Sequence, residues 1–522
     1  MVKEILIIIC FSVALSVQQS DPNADHYWAG VVEFSIEDRS VKTPAEYTAE
    51  ALDRYKRIIN SVDANPVDII VFPEYGLNTI ETASFVPSPS DNLAPCNHLM
   101  YDPIVRDLSC IARQRQKYLV VNLIETSHCP ESYDWRDCAE DGLYRFNTNV
   151  VFDRDGFVIA RYRKSNLYGE RGVNVTHSHE TVTFDTDFGV RMGLITSFDI
   201  LFGQPAASLG QLTDVTDIVF PAEWFSGLPF LTAAQLQQGW AYRHNVNLLA
   251  AGISSPEAGS TGTGVYAGRR GRIVSVMNYQ AEEKLYIAQV PKIDRPSATI
   301  SRHPVIKYTP AQMSKLALLR DQIDSYEYAD LPRVSNANFN QTLCQKDTCC
   351  NFTADYTFTN PQQGQKFYRY RLAVASGMRR FGESAGESVV KICTILACTG
   401  DAISSCGTHF EDATNLVNTV RFNSIEIEGT FQGETFDFML LPSTLDSSIL
   451  PLEVDEFDFN IEDVAIDGSN HQRTSLKMTK PRSDLYTFGI WGREYSFFVS
   501  KGIPIVDSYI LITVSVLLKI LF

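Results

Sequence analysis

The sequence predicts an α/β layered domain followed by a smaller, β-rich, disulfide-bonded domain. Three observations carry that reading. Apolar runs alternate with amphipathic stretches from about residue 28 to about residue 300. The later half is instead a series of short aromatic and β-branched runs separated by Gly, Pro and Asp. Of 11 cysteines, Cys10 lies in the leader, Cys96, Cys110, Cys129 and Cys138 fall early, and Cys344, Cys349, Cys350, Cys393, Cys398 and Cys406 fall late. With 522 residues the chain exceeds what one compact core holds, so two domains are expected.

The elements follow in order. WAGVVEFSI is a strand, AEYTAEALDRYKRIINSV a helix, VDIIVF a strand, PIVRDLSCIARQRQ a helix and YLVVNLI a strand. YRFNTNVVFD and GFVIARYRK pair as strands, with Gly156 in the turn between them. VRMGLIT is a strand, a helix is expected from Ile200, VTDIVFP is a strand, LTAAQLQQGWAYRHNV an amphipathic helix and NLLAAG a strand. This places the first domain at 25–300, a Pro-punctuated linker region at 301–332 and the β-rich domain at 333–499. The runs FYRYRLAVAS, VVKICTILACT, SIEIEGTF, TFDFMLL and LYTFGIWGREYSFFVS supply the strands of the latter.

Residues 1–20 carry a lysine, an apolar run and small residues suited to cleavage, the pattern of a secretory signal. The apolar run from Tyr509 to Phe522 is shorter than the ~20 residues a spanning helix needs. Behind the short spacer that follows Ser500-Lys501-Gly502, it fits a lipid (GPI) attachment signal over 500–522, with Ser500 the candidate attachment residue. A short transmembrane anchor beginning near Ile503, or secretion, is the alternative. The even cysteine numbers in each half agree with an oxidising compartment, as do the sequons at Asn174, Asn340 and Asn351. Connectivity and oligomeric state are not readable. A net charge of -17 argues against nucleic acid as a partner.

Three strand ends carry residues whose chemistry could converge. FPEYG delivers Glu74, YRKSNLYGE delivers Lys164 with Glu170 six residues on, and TSFDILFGQPA delivers Ser197 at a polar corner. A carboxylate that takes a proton, a small nucleophile, and an ammonium with a backbone N–H for the oxyanion are the parts of an acyl-transfer site. In that order and spacing these motifs resemble the glutamate, lysine and cysteine motifs of the nitrilase superfamily of carbon-nitrogen hydrolases. Within it, they are similar to the biotinidase/vanin branch, with its F-P-E-x-G, Y-x-K-x-N-L and T-C-F-D-I-L-F motifs. TFGIWGRE resembles the end of that branch's second domain. The resemblance implies an α-β-β-α sandwich at the cell surface that hydrolyses a linear amide of pantetheine or biotin type without a cofactor. It implies Glu74 as general base, Lys164 as oxyanion stabiliser, the Phe198 N–H as second oxyanion donor and Glu170 as a supporting acid. Asp199 orients the corner rather than reacting.

The departure is at the nucleophile, where the resemblance implies cysteine and the chain has Ser197. A thiol has a pKa of ~8.5, whereas an alkyl hydroxyl is nearer water at ~15.7. The difference corresponds to about 10 kcal/mol if deprotonation preceded attack. Serine hydrolases recover part of it with an imidazole, which a glutamate replaces poorly. Activity at least ~10³-fold below a cysteine enzyme, about 4 kcal/mol of barrier, is therefore expected. An inactive relative that binds a ligand, and a surface interaction protein, are the competing readings.

Other signals carry less. HSHE, with His177 and His179, gives no complete metal-ligand set. GTGVYAG lacks the setting of a phosphate loop and reads as a turn. LEVDEFDFNIED alternates acidic and apolar residues as a strand with one solvated face. His244 reads as a satisfied, partly buried histidine.

Overall fold

In a computed structural model, residues 19–36, 41–129, 138–335, 337–381, 386–434 and 437–499 are described. Residues 1–18 of the expected signal and the whole 500–522 tail, Ser500 included, lie outside them. Among the described residues no helix is long and apolar enough to cross a membrane.

Alternation along buried strands creates the layers of the first domain. In His26–Ser35, Val31 packs into one apolar cluster and Val32 into another, and Val71 and Phe72 divide in the same way. In Asn247–Ser254, Leu249 shares the cluster of Val31 and Val71, whereas Leu248 faces a third. Strands with both faces apolar must be covered on both sides. The first face of each set meets the other to form the inter-sheet core, and helices cover the outer faces. The result is the expected α-β-β-α sandwich.

One sheet centres on His26–Ser35, parallel to Ile69–Val71 and antiparallel to Lys284–Pro291. It continues through Tyr118–His128, Leu143–Phe152 and Val158–Arg163. The other runs from Thr183–Asp185 through Arg191–Leu194, Asp217–Ala222 and Asn247–Ser254 to Thr263–Ala267 and Arg272–Val276. The two are stitched where Glu33–Ser35 register with Gly252–Ser254.

Helices Pro44–Asn60 and Pro103–Arg115 cover the first sheet. The former starts at a capping box, in which the Thr43 hydroxyl accepts from the Glu46 N–H and the Glu46 carboxylate from the Thr43 N–H. Helix Ala233–His244 covers the second sheet and has a capping box of Thr232 and Gln235.

Three sequence expectations are corrected. No helix opens at Ile200; a short 3₁₀ turn spans Ser197–Leu201, and Phe202 leaves it in extended geometry (φ -115°, ψ 154°). A separate short turn of π type follows over Gly203–Ala207, broken at Gln204 (φ -112°, ψ 130°), the residue that Pro205 keeps extended. GTGVYAG is a strand over Thr263–Ala267 rather than a turn. The helix Ala233–His244 is not amphipathic in its setting, because Ala233 through Ala241 are all buried. Its polar face is covered by the second domain, where Gln235 Nε2 donates to Ser443 Oγ (2.8 Å) and Gln238 Nε2 to the Leu452 carbonyl (2.6 Å). Gly239 permits the approach, since a Cβ there would lie 2.7 Å from the Pro442 carbonyl oxygen.

The second domain is two antiparallel five-stranded sheets face to face. Arg369–Phe381, Gly386–Cys398 and Leu485–Val499 are central in the sheet that touches the first domain, and Thr348–Phe358, Val420–Gln432 and Ser469–Met478 in the other. Phe457–Ile466 is an edge strand with mostly alternating exposure. Residues 301–332, read as the linker region, are docked: Leu319–Arg320 pairs with Gly227–Leu228, and Glu327–Asp330 forms the edge of the contacting sheet. Each half closes its own disulfides, Cys96–Cys110 and Cys129–Cys138 early, and Cys344–Cys349, Cys350–Cys393 and Cys398–Cys406 late. Cys350–Cys393 joins the facing sheets across a sequence separation of 43.

Closing that loop restricts the unfolded chain, an effect of about 2–4 kcal/mol. The Cys350→Ala/Cys393→Ala variant is therefore expected to lose about that much stability in urea unfolding; an unchanged midpoint would show that the bridge carries none of it.

Candidate active site

Glu74 leaves the strand Ile69–Val71 through Phe72 and Pro73, Lys164 ends the strand Val158–Arg163, and Ser197 follows Arg191–Leu194. The first and third of these strands are parallel members of their sheets, and a loop beyond a strand's carboxyl end is where such sheets present reactive groups.

Lys164 Nζ lies 2.7 Å from Glu74 Oε1 and 2.6 Å from Glu170 Oε1, and the Lys164 and Glu74 side chains are 1% and 2% exposed. Asn147 Nδ2 donates to the same Glu74 oxygen (2.6 Å), and the Glu223 N–H donates to Oε2 (3.0 Å). Burial alone would discharge the lysine, but the Glu170 and then the Glu74 carboxylates outweigh it and hold the ammonium well above its ordinary pKa. Glu74, Lys164 and Glu170 are thus in direct contact.

Ser197 joins them by a different route. Its backbone is left-handed (φ 43°), a conformation that side chains other than glycine adopt seldom, and the residue is 3% exposed. Its hydroxyl donates to the Glu223 carbonyl at 3.2 Å. Among the described residues it makes no hydrogen bond to Glu74. The Glu223 backbone therefore bridges the two, with its N–H on Glu74 and its C=O on Ser197. Phe198 follows in the 3₁₀ turn, its N–H at the corner and its ring against Tyr168, Phe202 and Phe381 (centroids 5.0, 5.1 and 5.7 Å).

The corner is held by Asp199, which is fully buried. Oδ1 accepts from the Asn166 N–H and Nδ2 (2.8 Å each), and Oδ2 from Tyr162 OH (2.7 Å) and the Thr196 N–H (3.1 Å). Burial pushes its carboxyl up to about 6 against the opposing pull of the Lys164 charge and these donors.

Sequence reasoning missed an asparagine lattice behind the site. Asn122 Nδ2 donates to Asn147 Oδ1 (2.6 Å) and Asn149 Oδ1 (2.9 Å), and its own Oδ1 accepts from the Tyr75 N–H (3.0 Å). Asn149 Nδ2 reaches the Thr196 hydroxyl (2.9 Å). The lattice thus connects Glu74 to the Ser197 corner. Its signal was present as polar residues at alternate positions of otherwise apolar runs, FNTNVV and VVNLI, where a buried amide must find partners.

Two cavities flank this centre. One of about 510 Å³ is lined by Tyr75, Ile80, Ile124, Glu170 and Arg171 among others; the second, of about 350 Å³, is lined by Ser197, Tyr168, Trp224, Phe225 and residues of the second domain. Glu223 lines both. Of the sequon asparagines, Asn174 is half-buried and accepts the Arg145 N–H (2.7 Å), while Asn340 and Asn351 are exposed on paired strands, each opposite the threonine of the other's sequon. His244 is partly exposed on its helix and packs against Trp240 (centroids 4.5 Å). Among the described residues no group of His, Cys, Asp and Glu is placed to hold a metal ion.

Comparison with known proteins identifies the family. A carbon-nitrogen hydrolase family model matches residues 39–215, and a vanin C-terminal domain model matches residues 316–497. The chain is 39% identical to Vanin-like protein 1 of Drosophila melanogaster, over 96% of this chain and 91% of that protein. It is 32% identical to the Pantetheinase of Homo sapiens, over 73% of each. Among solved structures, an amidase from Nesterenkonia sp. is similar over 51% of this chain and 91% of its own, at 19% identity and a TM-score of 0.36.

The raised carboxyl of Asp199 has a stability consequence. With a folded pKa of about 6 against 3.8 unfolded, its contribution is fully present below the unfolded value and is lost as pH rises through about 6. Asp199→Asn is expected to be less stable than wild type, since an amide nitrogen cannot accept the Thr196 N–H, as a carboxyl oxygen can whether protonated or not. The gap should narrow by about 2–3 kcal/mol between pH 4 and pH 7. Unfolding curves of both proteins at the two pH values test this, and a gap that stays constant or widens contradicts it.

Proposed function

Because this chain belongs to the vanin branch of the carbon-nitrogen hydrolase family, we propose that it binds linear amides of pantetheine or biotin type and hydrolyses them only residually. The observation that carries this reading is the direction of the Ser197 hydroxyl, which donates to the Glu223 carbonyl while three donors occupy Glu74. A peptide carbonyl accepts a hydrogen bond but does not carry a proton away. The serine thus lacks both the acidity of a thiol and a direct path to the base.

In this reading the amide carbonyl sits at Ser197, with Lys164 and the Phe198 N–H facing the developing oxyanion and Glu74 serving as general base. Glu170 acts through Lys164, as a second anchor for the ammonium. The acyl and amine arms extend into the two cavities on either side of Glu223. No step calls for a cofactor. We place the protein on the outer face of the cell membrane, lipid-anchored near Ser500 and glycosylated at Asn174, Asn340 and Asn351. The terminal sequences and the five disulfides support that placement.

Turnover of pantetheine and of a biotinyl amide should be followed for wild type, Ser197→Cys and Ser197→Ala. Ser197→Cys is expected to raise kcat/KM by at least ~10³ over wild type, and Glu74→Gln in that background to abolish the gain. Wild type should stay within a few-fold of Ser197→Ala. A wild type clearly faster than Ser197→Ala would make Ser197 a working nucleophile and end this reading.

A further inference from the structure

The cavity beside Ser197 is not closed by the hydrolase domain alone. Its far wall is built from Leu319 to Gln322 and from Arg379, Arg380 and Phe381 of the second domain. Three guanidiniums therefore line one side of a cavity whose remaining walls are largely aromatic.

They are not equivalent. Arg380 is half-exposed and donates to Glu387 (3.0 Å). Arg320 rests on the carbonyls of Ser404 and Cys406. Arg379 is 14% exposed, its guanidinium lies over the Phe381 ring (4.7 Å), and its Nε donates to Asp321 Oδ1 (2.7 Å). Asp321 is buried and is tied further by the Gln322 N–H (3.0 Å). The anchor on Nε fixes the plane of the Arg379 fork. Among the described residues its two terminal nitrogens make no hydrogen bond.

The charges on this wall do not cancel. Asp321 and Glu387 each match one guanidinium, and Arg320 is held by neutral oxygens. Glu223 lines both cavities, so the surplus positive charge of this cavity lies on the wall built by Arg320, Arg379 and Arg380. A planar fork with two unspent donors suits a two-oxygen acceptor, as in a carboxylate or phosphate.

Building on the amide-binding reading above, we propose that Arg379 receives an anionic group at the end of the bound amide. The ligand class is then a linear amide terminating in a phosphate monoester or a carboxylate. Its neutral scissile group lies at Ser197 and its charged end against the second domain. The second domain thus acts as a specificity element, and Arg379 contacts the ligand without touching the reacting atoms.

Calorimetric titration of the full chain with pantetheine, 4′-phosphopantetheine and the hemisuccinate ester at the same hydroxyl tests this. At least one of the two anionic probes should bind ~10-fold tighter than pantetheine or better, and which one gains more identifies the group. Added salt should shrink that preference in the wild-type protein, with no variant required. Arg379→Gln should remove it. Asp321→Asn/Arg379→Gln removes both charges together and covers the case in which the single variant strands a buried carboxylate and fails to fold. Equal affinity for all three probes, or a preference that survives loss of Arg379, overturns the proposal. The Ser197→Cys variant separates the two readings. If it hydrolyses pantetheine without any anion preference, only the role of Arg379 fails, whereas if no probe binds and none is hydrolysed, the amide-binding reading fails with it.

Discussion

Burial of Lys164 between two carboxylates is the constraint around which the rest of this site is arranged. Taking an ion out of water costs several kcal/mol even after relaxation, and only dense compensation makes the arrangement tolerable. Here the ammonium meets Glu74 and Glu170, and Glu74 meets Asn147 and the Glu223 N–H as well. None of those partners can move without stranding a charge. Asn147 is in turn fixed by Asn122, and Asn122 by Asn149 and the Tyr75 N–H, so rigidity passes outward through amides on adjacent strands. The sandwich thus does more than enclose an apolar core. Its paired strands also supply the register that brings Asn122 opposite Asn149.

The second domain takes part in the same logic at longer range. It covers the outer helix Ala233–His244, accepting from Gln235 and Gln238, and its Thr487 hydroxyl donates to the Pro229 carbonyl (3.0 Å). Arg493 packs over Phe202 (4.0 Å), just beyond the Ser197 turn, and donates to the Leu201 carbonyl. Burial holds that guanidinium down at about 9, a cost that its ring and carbonyl contacts reduce without cancelling. An interface that buries polar groups with specific partners fixes one relative orientation of the two domains. That is what allows Arg379 and Phe381 to serve as walls of a cavity whose other side carries Ser197.

Much of this was legible in the sequence because it depends on local pattern. Period-two alternation marks the strands, and three motifs at strand ends mark the candidate site. What was not legible depends on contacts distant in sequence. Gln235 and Gln238 read as a solvated helix face until the second domain is seen to cover them. Asn122, Asn147 and Asn149 read as interruptions of apolar strands until pairing places them side by side. The run after Ser197 is apolar enough to suggest one helix, but extended residues at Phe202 and Gln204 divide it into short turns, and side chains from both domains pack on its path. Arg379 lies 182 residues beyond Ser197 in the chain, and only the domain interface brings the two to one cavity.

The left-handed backbone of Ser197 invites the inference that a strained corner signals a working nucleophile. The wiring argues otherwise. A non-glycine residue in that conformation costs about 1–2 kcal/mol, yet the conformation belongs less to Ser197 than to its neighbours. Asp199 holds Thr196 behind the serine, and Tyr162 and Asn166 hold Asp199. These groups also terminate strands and pack the turn, so they keep their geometry whatever residue 197 does chemically. Strain retained at the corner is therefore a property of the scaffold, and it is silent about activity. The proton of the Ser197 hydroxyl is the informative quantity. It points to a carbonyl while the carboxylate that would have to take it is fully engaged with Lys164, Asn147 and the Glu223 N–H. A thiol needs that carboxylate less, because part of it is already thiolate near neutral pH. On the proposed reading, one scaffold therefore serves a cysteine and a serine at this corner to very different degrees.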